Sequence, residues 1–171
     1  MRFSLLLLLI LATSISAPAQ KKLKHSIDKN TGDTTFYTGE DRLYTQAGAT
    51  KSIGEILKSS VYKSRNGFML SLFIQTGRTS VFSLEQGDPA ELRLEDGTII
   101  PLRNLTDNSS RVSSMGYGCF SYAYYRLLSD DVERLKSSPV TFIRIHTSGG
   151  NMDYSLKEKF GDVIGEQLGK F

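Results

Sequence analysis

The chain has no tryptophan, one cysteine, two histidines and four prolines among 171 residues. Each scarcity closes off a class of function. One thiol, Cys119, cannot staple a loop by itself, so the fold must rest on its hydrophobic core. His25 and His146, with no cysteine near either, give no metal-ligand spacing. An excess of one charge is also missing, because 21 Lys and Arg stand against 18 Asp and Glu. The one local basic cluster, Lys21-Lys22-Leu23-Lys24, is far short of the dense stripe that a nucleic-acid footprint needs, so no nucleic-acid partner is expected. It reads as the solvated start of a domain. Long hydrophobic runs are confined to the N-terminus.

That N-terminal run reads as an export signal. Met1 and Arg2 give a positive start, Leu5 to Ala12 is unbroken apolar sequence, and Ala17-Pro18-Ala19 is an A-x-A cleavage site. A bilayer crossing takes roughly 20 apolar residues, so the run is too short for an anchor. No later segment is apolar enough to span, and no cysteine lies near the cut to carry a lipid anchor. The expectation is a signal peptide over 1–19 and a mature chain from Gln20, exported to the periplasm or the cell exterior. Residues 20–171 then form a single strand-rich globular domain. Two sequons, at Asn104 and Asn108, matter only in a eukaryotic secretory pathway and point to a surface loop.

Short strands separated by turn residues make up most of the chain. Lys22 to Asp28 and Thr34 to Thr38 flank an Asp-Lys-Asn-Thr-Gly-Asp turn, and 39–52 reads as irregular. Ile53 to Ser64 and Phe68 to Thr76 flank Asn66-Gly67, a hairpin signal; the second arm is apolar enough to be buried on both faces. Glu85 to Ala90 reads as loop. Glu91 to Glu95 alternates, Asp96-Gly97 turns, and Thr98 to Leu102 returns with Pro101 marking a sheet edge. Residues 103–115 read as a long polar loop. Gly118 to Leu128 is an aromatic strand with Cys119, Ser121, Ala123, Tyr125 and Leu127 on one face. Phe120, Tyr122, Tyr124, Arg126 and Leu128 lie on the other. Ser129 or Asp130 caps a short helix near 130–136, with Glu133 completing a capping box and Pro139 ending it. Val140 to Thr147 and Met152 to Leu156 form a last hairpin. The C-terminus is an amphipathic helix with Phe160, Val163, Ile164, Leu168 and Phe171 on one stripe. Short connections exclude parallel crossovers, so the fold class is α+β with a mainly antiparallel sheet.

Signals of chemistry are weak. Asp28-x-Asn30-x-Gly32-Asp33 imitates the start of a calcium loop, yet the glycine is one place early and position twelve is Gly39. Ser60-x-x-Lys63 matches a penicillin-binding tetrapeptide without its partner motifs and on a strand. Cys119 as a nucleophile needs a histidine base, and both candidates are distant; its strand face looks like core, which predicts a buried, inert thiol. Asp130, Asp131 and Glu133 suit a helix N-terminus. No catalytic residue, metal ligand or cofactor is assigned. The row of Tyr122 and Tyr124 beside Arg126 has the composition of a binding surface, for sugar or for a partner's side chains; the lack of tryptophan counts against sugar.

Three stretches carry a likeness: Asp28-Lys29-Asn30-Thr31-Gly32, the Leu92 to Gly97 hairpin (Leu-x-Leu-x-Asp-Gly), and the helix, Phe142-to-Thr147 strand, turn, strand and terminal helix at the end. On these the chain resembles uncharacterised exported proteins of Bacteroidetes-type bacteria. The resemblance implies a periplasmic or cell-surface protein and brings no activity or site residue with it. The leading expectation is a non-enzymatic module that binds a protein or small ligand through Tyr122, Tyr124 and Arg126. The alternatives are a small secreted hydrolase or an enzyme inhibitor.

Overall fold

The structure is a computed structural model describing residues 23–47, 54–77, 80–113 and 118–171. The expected signal peptide lies outside the described residues. Every ladder among the described strands is antiparallel. The larger sheet has seven strands: β1 (Lys24–Ile27), β2 (Thr34–Tyr37), β4 (Glu55–Ser64), β5 (Gly67–Thr76), β11 (Cys119–Leu127) and β10 (Arg111–Val112) in that spatial order, with β3 (Asp41–Gln46) also paired to β4. A second sheet runs β13 (Gly150–Ser155), β12 (Val140–Thr147), β7 (Pro89–Leu94), β8 (Ile99–Arg103). A two-stranded ladder joins β6 (Ser83–Leu84) to β9 (Asn108–Ser109). The helices are α1 (Ser129–Ser137), α2 (Glu158–Gly161) and α3 (Val163–Leu168). The protein is thus α+β and mostly antiparallel sheet.

Period-two alternation explains the core. Leu57 and Val61 of β4, Leu70, Leu72 and Ile74 of β5, and Ala123, Tyr125 and Leu127 of β11 all point inward. Leu92, Ile100, Ile143 and Ile145 of the smaller sheet meet them in one buried cluster, which Val132, Leu135, Ile164 and Leu168 of the helices complete. Each aliphatic side chain so buried contributes roughly 1.5–3 kcal/mol before entropy costs. Pro101 sits on β8, an edge strand, where its missing N–H breaks no ladder.

Several local readings need correction. Residues 39–52 are not all irregular, because Asp41–Gln46 forms β3 and buries Leu43. Pro89–Leu94 extends a strand into the expected 85–90 loop. Residues 103–115 carry β9 and β10, and Asn104 is held inside. Polar composition concealed β9 and β10, which are ordered by pairing rather than by apolar burial. The second arm of the central hairpin is buried deeply on one face only: Met69 and Phe73 on its other face are half-exposed. The hairpin closes on Arg65-Asn66, and Gly67, at φ 104°, opens β5.

The first helix begins one residue earlier than expected. Leu128 occupies the N-cap position, and the Asp131 carboxylate accepts its N–H at 3.2 Å. Asp131 takes the role expected of Glu133. The C-terminal amphipathic helix is two short helices interrupted at Asp162, although its apolar stripe continues across the break. Glycines explain the local geometry: a Cβ on Gly165 would lie 2.5 Å from the Leu135 carbonyl oxygen, and one on Gly161 2.9 Å from Pro139 Cβ. Close approach to α1 and to the start of β12 excludes any larger side chain there, at the cost of helix propensity.

Gln167 sits on that stripe, seven residues after Phe160, and has no exposed surface. Its amide is fully used. Ser59 Oγ donates to Oε1 at 2.9 Å, while Nε2 donates to the Ser59 carbonyl (2.9 Å), the Asp41 carboxylate (3.2 Å) and the Gly39 carbonyl (3.3 Å). One side chain thereby ties α3 to β3, β4 and the β2–β3 connection.

Candidate functional site

Most of the candidate chemistry is dispersed by the fold. Cys119 has no exposed surface and lies on the inward face of β11. His146 is on the outward face of β12, and His25 is exposed on β1 beside Phe36. The thiol and the imidazoles therefore occupy separate layers. Ser60 and Lys63 point to opposite sides of β4; Lys63 rests over the Phe68 ring. Asp28 closes a turn with its own backbone, its carboxylate accepting from Asn30 N–H at 2.7 Å and Thr31 N–H at 3.3 Å. This Asx turn engages Asp28 Oδ1 with the chain's own backbone. Among the described residues, no three His, Cys, Asp or Glu side chains come together as metal ligands.

The two sheets differ in what they turn outward. The smaller sheet shows an ion pair and arginines about a ring. Arg144 and Asp153 face each other across β12 and β13 with two hydrogen bonds of 2.7–2.8 Å, and Phe142 lies between the Arg93 and Arg144 guanidiniums. The hydrogen bond from Arg144 holds the Asp153 carboxyl below the usual range. Paired charges on an exposed sheet keep that surface solvated.

The larger sheet turns aromatic rings outward instead. Register places Tyr37 of β2 beside Tyr62 of β4, and Phe73 of β5 beside Tyr122 of β11. Tyr37 and Tyr62 stack at 5.5 Å between centroids; Phe73 meets Tyr122 at 5.1 Å and Phe120 at 6.0 Å; Tyr122 and Tyr124 lie nearly parallel, 14° apart, at 6.3 Å. Ser60 and Ser71 share this face and the Tyr124 row, yet are only 5% and 2% exposed. Short serines between long rings form the floor of the surface. Both described helices that enter the core lie on the sheet's opposite side, and no described helix or strand lies across these rings.

Charge on this face is arranged around Glu40. Its carboxylate pairs with Lys58 at 3.0 Å and accepts the Tyr122 hydroxyl at 3.2 Å, and Lys58 also sits 4.9 Å above the Phe73 ring. Partial burial, then the Glu40 charge and hydrogen bond, raise the Tyr122 phenol above its ordinary pKa. Tyr124 is raised by burial first, then by Tyr62 and Glu40. The sequence-selected trio is placed as follows: Tyr122 and Tyr124 are half-buried within the aromatic row, and Arg126 is exposed at its end, opposite Met69. Arg126 and Arg111 have no carboxylate partner among the described residues, whereas Lys58, Arg65, Lys136 and Arg144 each have one. Glu40, Lys58, Tyr37, Tyr62, Phe73 and Arg111 were not selected from the sequence. Alternation assigns Lys58, Tyr37, Tyr62 and Phe73 outward positions on their own strands, Glu40 lies in the β2–β3 connection and Arg111 in a segment read as loop, and only the strand order brings them together.

Beside the row, an open groove of about 520 Å³ runs between β11 and the 107–111 segment, lined among others by Asp107, Asn108, Ser109, Arg111, Tyr122 and Tyr124. The wall is fixed by Asn104. Its amide nitrogen donates to the Glu85 and Thr106 carbonyls (3.1 and 2.6 Å), and its Oδ1 accepts the Tyr124 N–H (3.1 Å). Comparisons with protein-family models, curated proteins and solved structures find no match for the chain.

Proposed function

We propose that this protein is an exported, non-enzymatic binding module that takes its ligand on the outer face of the larger sheet, with Tyr122, Tyr124 and Arg126 in contact. One observation carries the reading: six aromatic rings gather on a sheet face that no described helix or strand covers, while the other sheet's outer face carries the Arg144–Asp153 ion pair and two arginines about one ring. Half-exposed rings on a solvated sheet forgo burial, and an occupant recovers it. Tyrosines with arginine are the residue types that dominate binding energy at contact surfaces. The dispersal of Cys119, His25 and His146 supports a non-catalytic role, since catalysis needs such groups within hydrogen-bond reach. Export follows from the leader and from the resemblance to bacterial exported proteins.

The test is nuclear magnetic resonance on isotope-labelled protein mixed with soluble glycan, protein and lipid fractions of the cells that make it. Shift changes gathered on Tyr62, Phe73, Tyr122, Tyr124 and Arg126, and lost in Tyr124→Ala, support the reading. Changes gathered on the smaller sheet, or no response to any fraction, refute it.

A further inference from the structure

We infer that the groove between β11 and the 107–111 segment is a carbohydrate site. The inference rests on the binding-module reading and specifies its ligand. A sugar ring presents an apolar face and an edge of adjacent hydroxyls, so it needs a ring to lie on and planar polar groups at the side. The groove supplies both. Phe120, Tyr122 and Tyr124 form one wall, and Asp107, Asn108 and Arg111 the other.

The second wall is held in place with capacity to spare. Asp107 Oδ1 accepts the Gln86 N–H at 2.6 Å, which leaves its other oxygen free to accept. Asn108 Nδ2 donates to Thr106 Oγ1 at 2.8 Å, which leaves its carbonyl oxygen. Arg111 is exposed and unpaired among the described residues, with its guanidinium fork available. A carboxylate, an amide and a guanidinium together match a ligand whose hydroxyls both donate and accept.

The same observations disfavour other polymers. Single-stranded nucleic acid also stacks on aromatic rings, but it needs a basic channel, and here Asp107 and Glu40 offset Arg111 and Lys58. A protein partner would bury a dry apolar centre. The exposed large apolar residues, Ile27, Phe36, Val81, Ile99, Val112 and Leu128, are not part of the groove lining, although Val112 adjoins Arg111. Tryptophan's absence does not remove stacking, because the fold assembles six smaller rings where the sequence displays three. Arg111 lies opposite Phe120, and Arg126 is six residues further along β11. The surface is therefore roughly 20 Å long, which suits a chain of sugars rather than one.

The test is affinity electrophoresis of the purified protein through gels holding, separately, cellulose-type β-glucan, xylan, α-mannan or polygalacturonate. The expected result is retardation by at least one polysaccharide. Retention should weaken about tenfold in Arg111→Ala and Tyr124→Ala, and survive in Arg144→Ala on the other sheet. Arg111 is exposed, so its variant keeps the fold even if Tyr124→Ala does not. No retardation by any of the four, or equal retention by wild type and Arg111→Ala, overturns the carbohydrate assignment. If resonance shifts then still gather on the aromatic face with a protein fraction, the binding surface stands and only its ligand class falls.

Discussion

Replacing Gln167 with methionine isolates what the buried amide does. Methionine is unbranched and close in volume, so packing of α3 is kept while all four hydrogen bonds are lost. Ser59 is fully buried, so its hydroxyl loses its acceptor and its carbonyl loses a donor out of reach of water. An abandoned buried group costs about 1–3 kcal/mol. The Asp41 carboxylate and the Gly39 carbonyl lie nearer the surface and lose less. A total of about 2–4 kcal/mol follows, which lowers Tm by roughly 5–15 °C for a chain of this size. Thermal and urea unfolding followed by circular dichroism reads this directly. A double-mutant cycle with Ser59→Ala separates the pair: the two changes together should cost clearly less than their sum. If Gln167→Met melts with the wild type, the amide does not tie α3 to the larger sheet.

Four further outcomes are expected. Intact mass of the exported protein should correspond to a chain beginning at Gln20; a periplasmic form retaining Met1 would contradict the leader reading. Gly165→Ala should destabilise by about 1–3 kcal/mol despite alanine's better helix propensity, because its Cβ meets the Leu135 carbonyl; a raised Tm would show that α1 and α3 are freer to separate. Cys119 should resist a thiol reagent in native buffer and react once urea unfolds the protein, and fast native labelling would place it outside the core. Alkaline titration should be split. Burial raises the Tyr125 phenol most and those of Tyr122 and Tyr124 as well, so these three should ionise in the folded protein above the unfolded value of about 10. Since these folded pKa values are raised, their contribution to stability is intact below about pH 10 and is lost as pH climbs through the folded values. A single phenolate transition in the folded protein would refute this.

The sequence was informative wherever one strand's own alternation decided the outcome. Residues 119–127 divide into inward Cys119, Ala123 and Tyr125 and outward Tyr122 and Tyr124, as period two requires. Pro101 on an edge and the antiparallel connections follow from equally local rules. What alternation cannot carry is which strands become neighbours. Tyr62 and Tyr124 belong to one surface because β5 lies between their strands, a fact held in long-range pairing. Gln167 had a readable signal: a glutamine on an apolar stripe, which a packed helix tolerates only if partners await it. Its partners Ser59 and Asp41, more than a hundred residues earlier, did not. Asn104 misleads in the other direction, since its motif and polar surroundings indicate a surface loop while its side chain is 2% exposed.

That last contrast bears on how the protein can be produced. Oligosaccharide transfer in a eukaryotic secretory pathway joins the sugar to the asparagine amide nitrogen of an N-x-[ST] sequon. At Asn104 that nitrogen holds the Glu85 and Thr106 carbonyls, and the same side chain receives the backbone of Tyr124. A chain glycosylated there during synthesis would lose the tie between the 104–107 segment and β11, and would have to place a bulky polar group inside the protein. Yeast or mammalian secretion should therefore deliver either misfolded, retained material or a chain that escaped modification at Asn104. Bacterial production, or Asn104 sequon removal through Thr106→Val, avoids the conflict while leaving the asparagine amide and the Thr106 carbonyl in place.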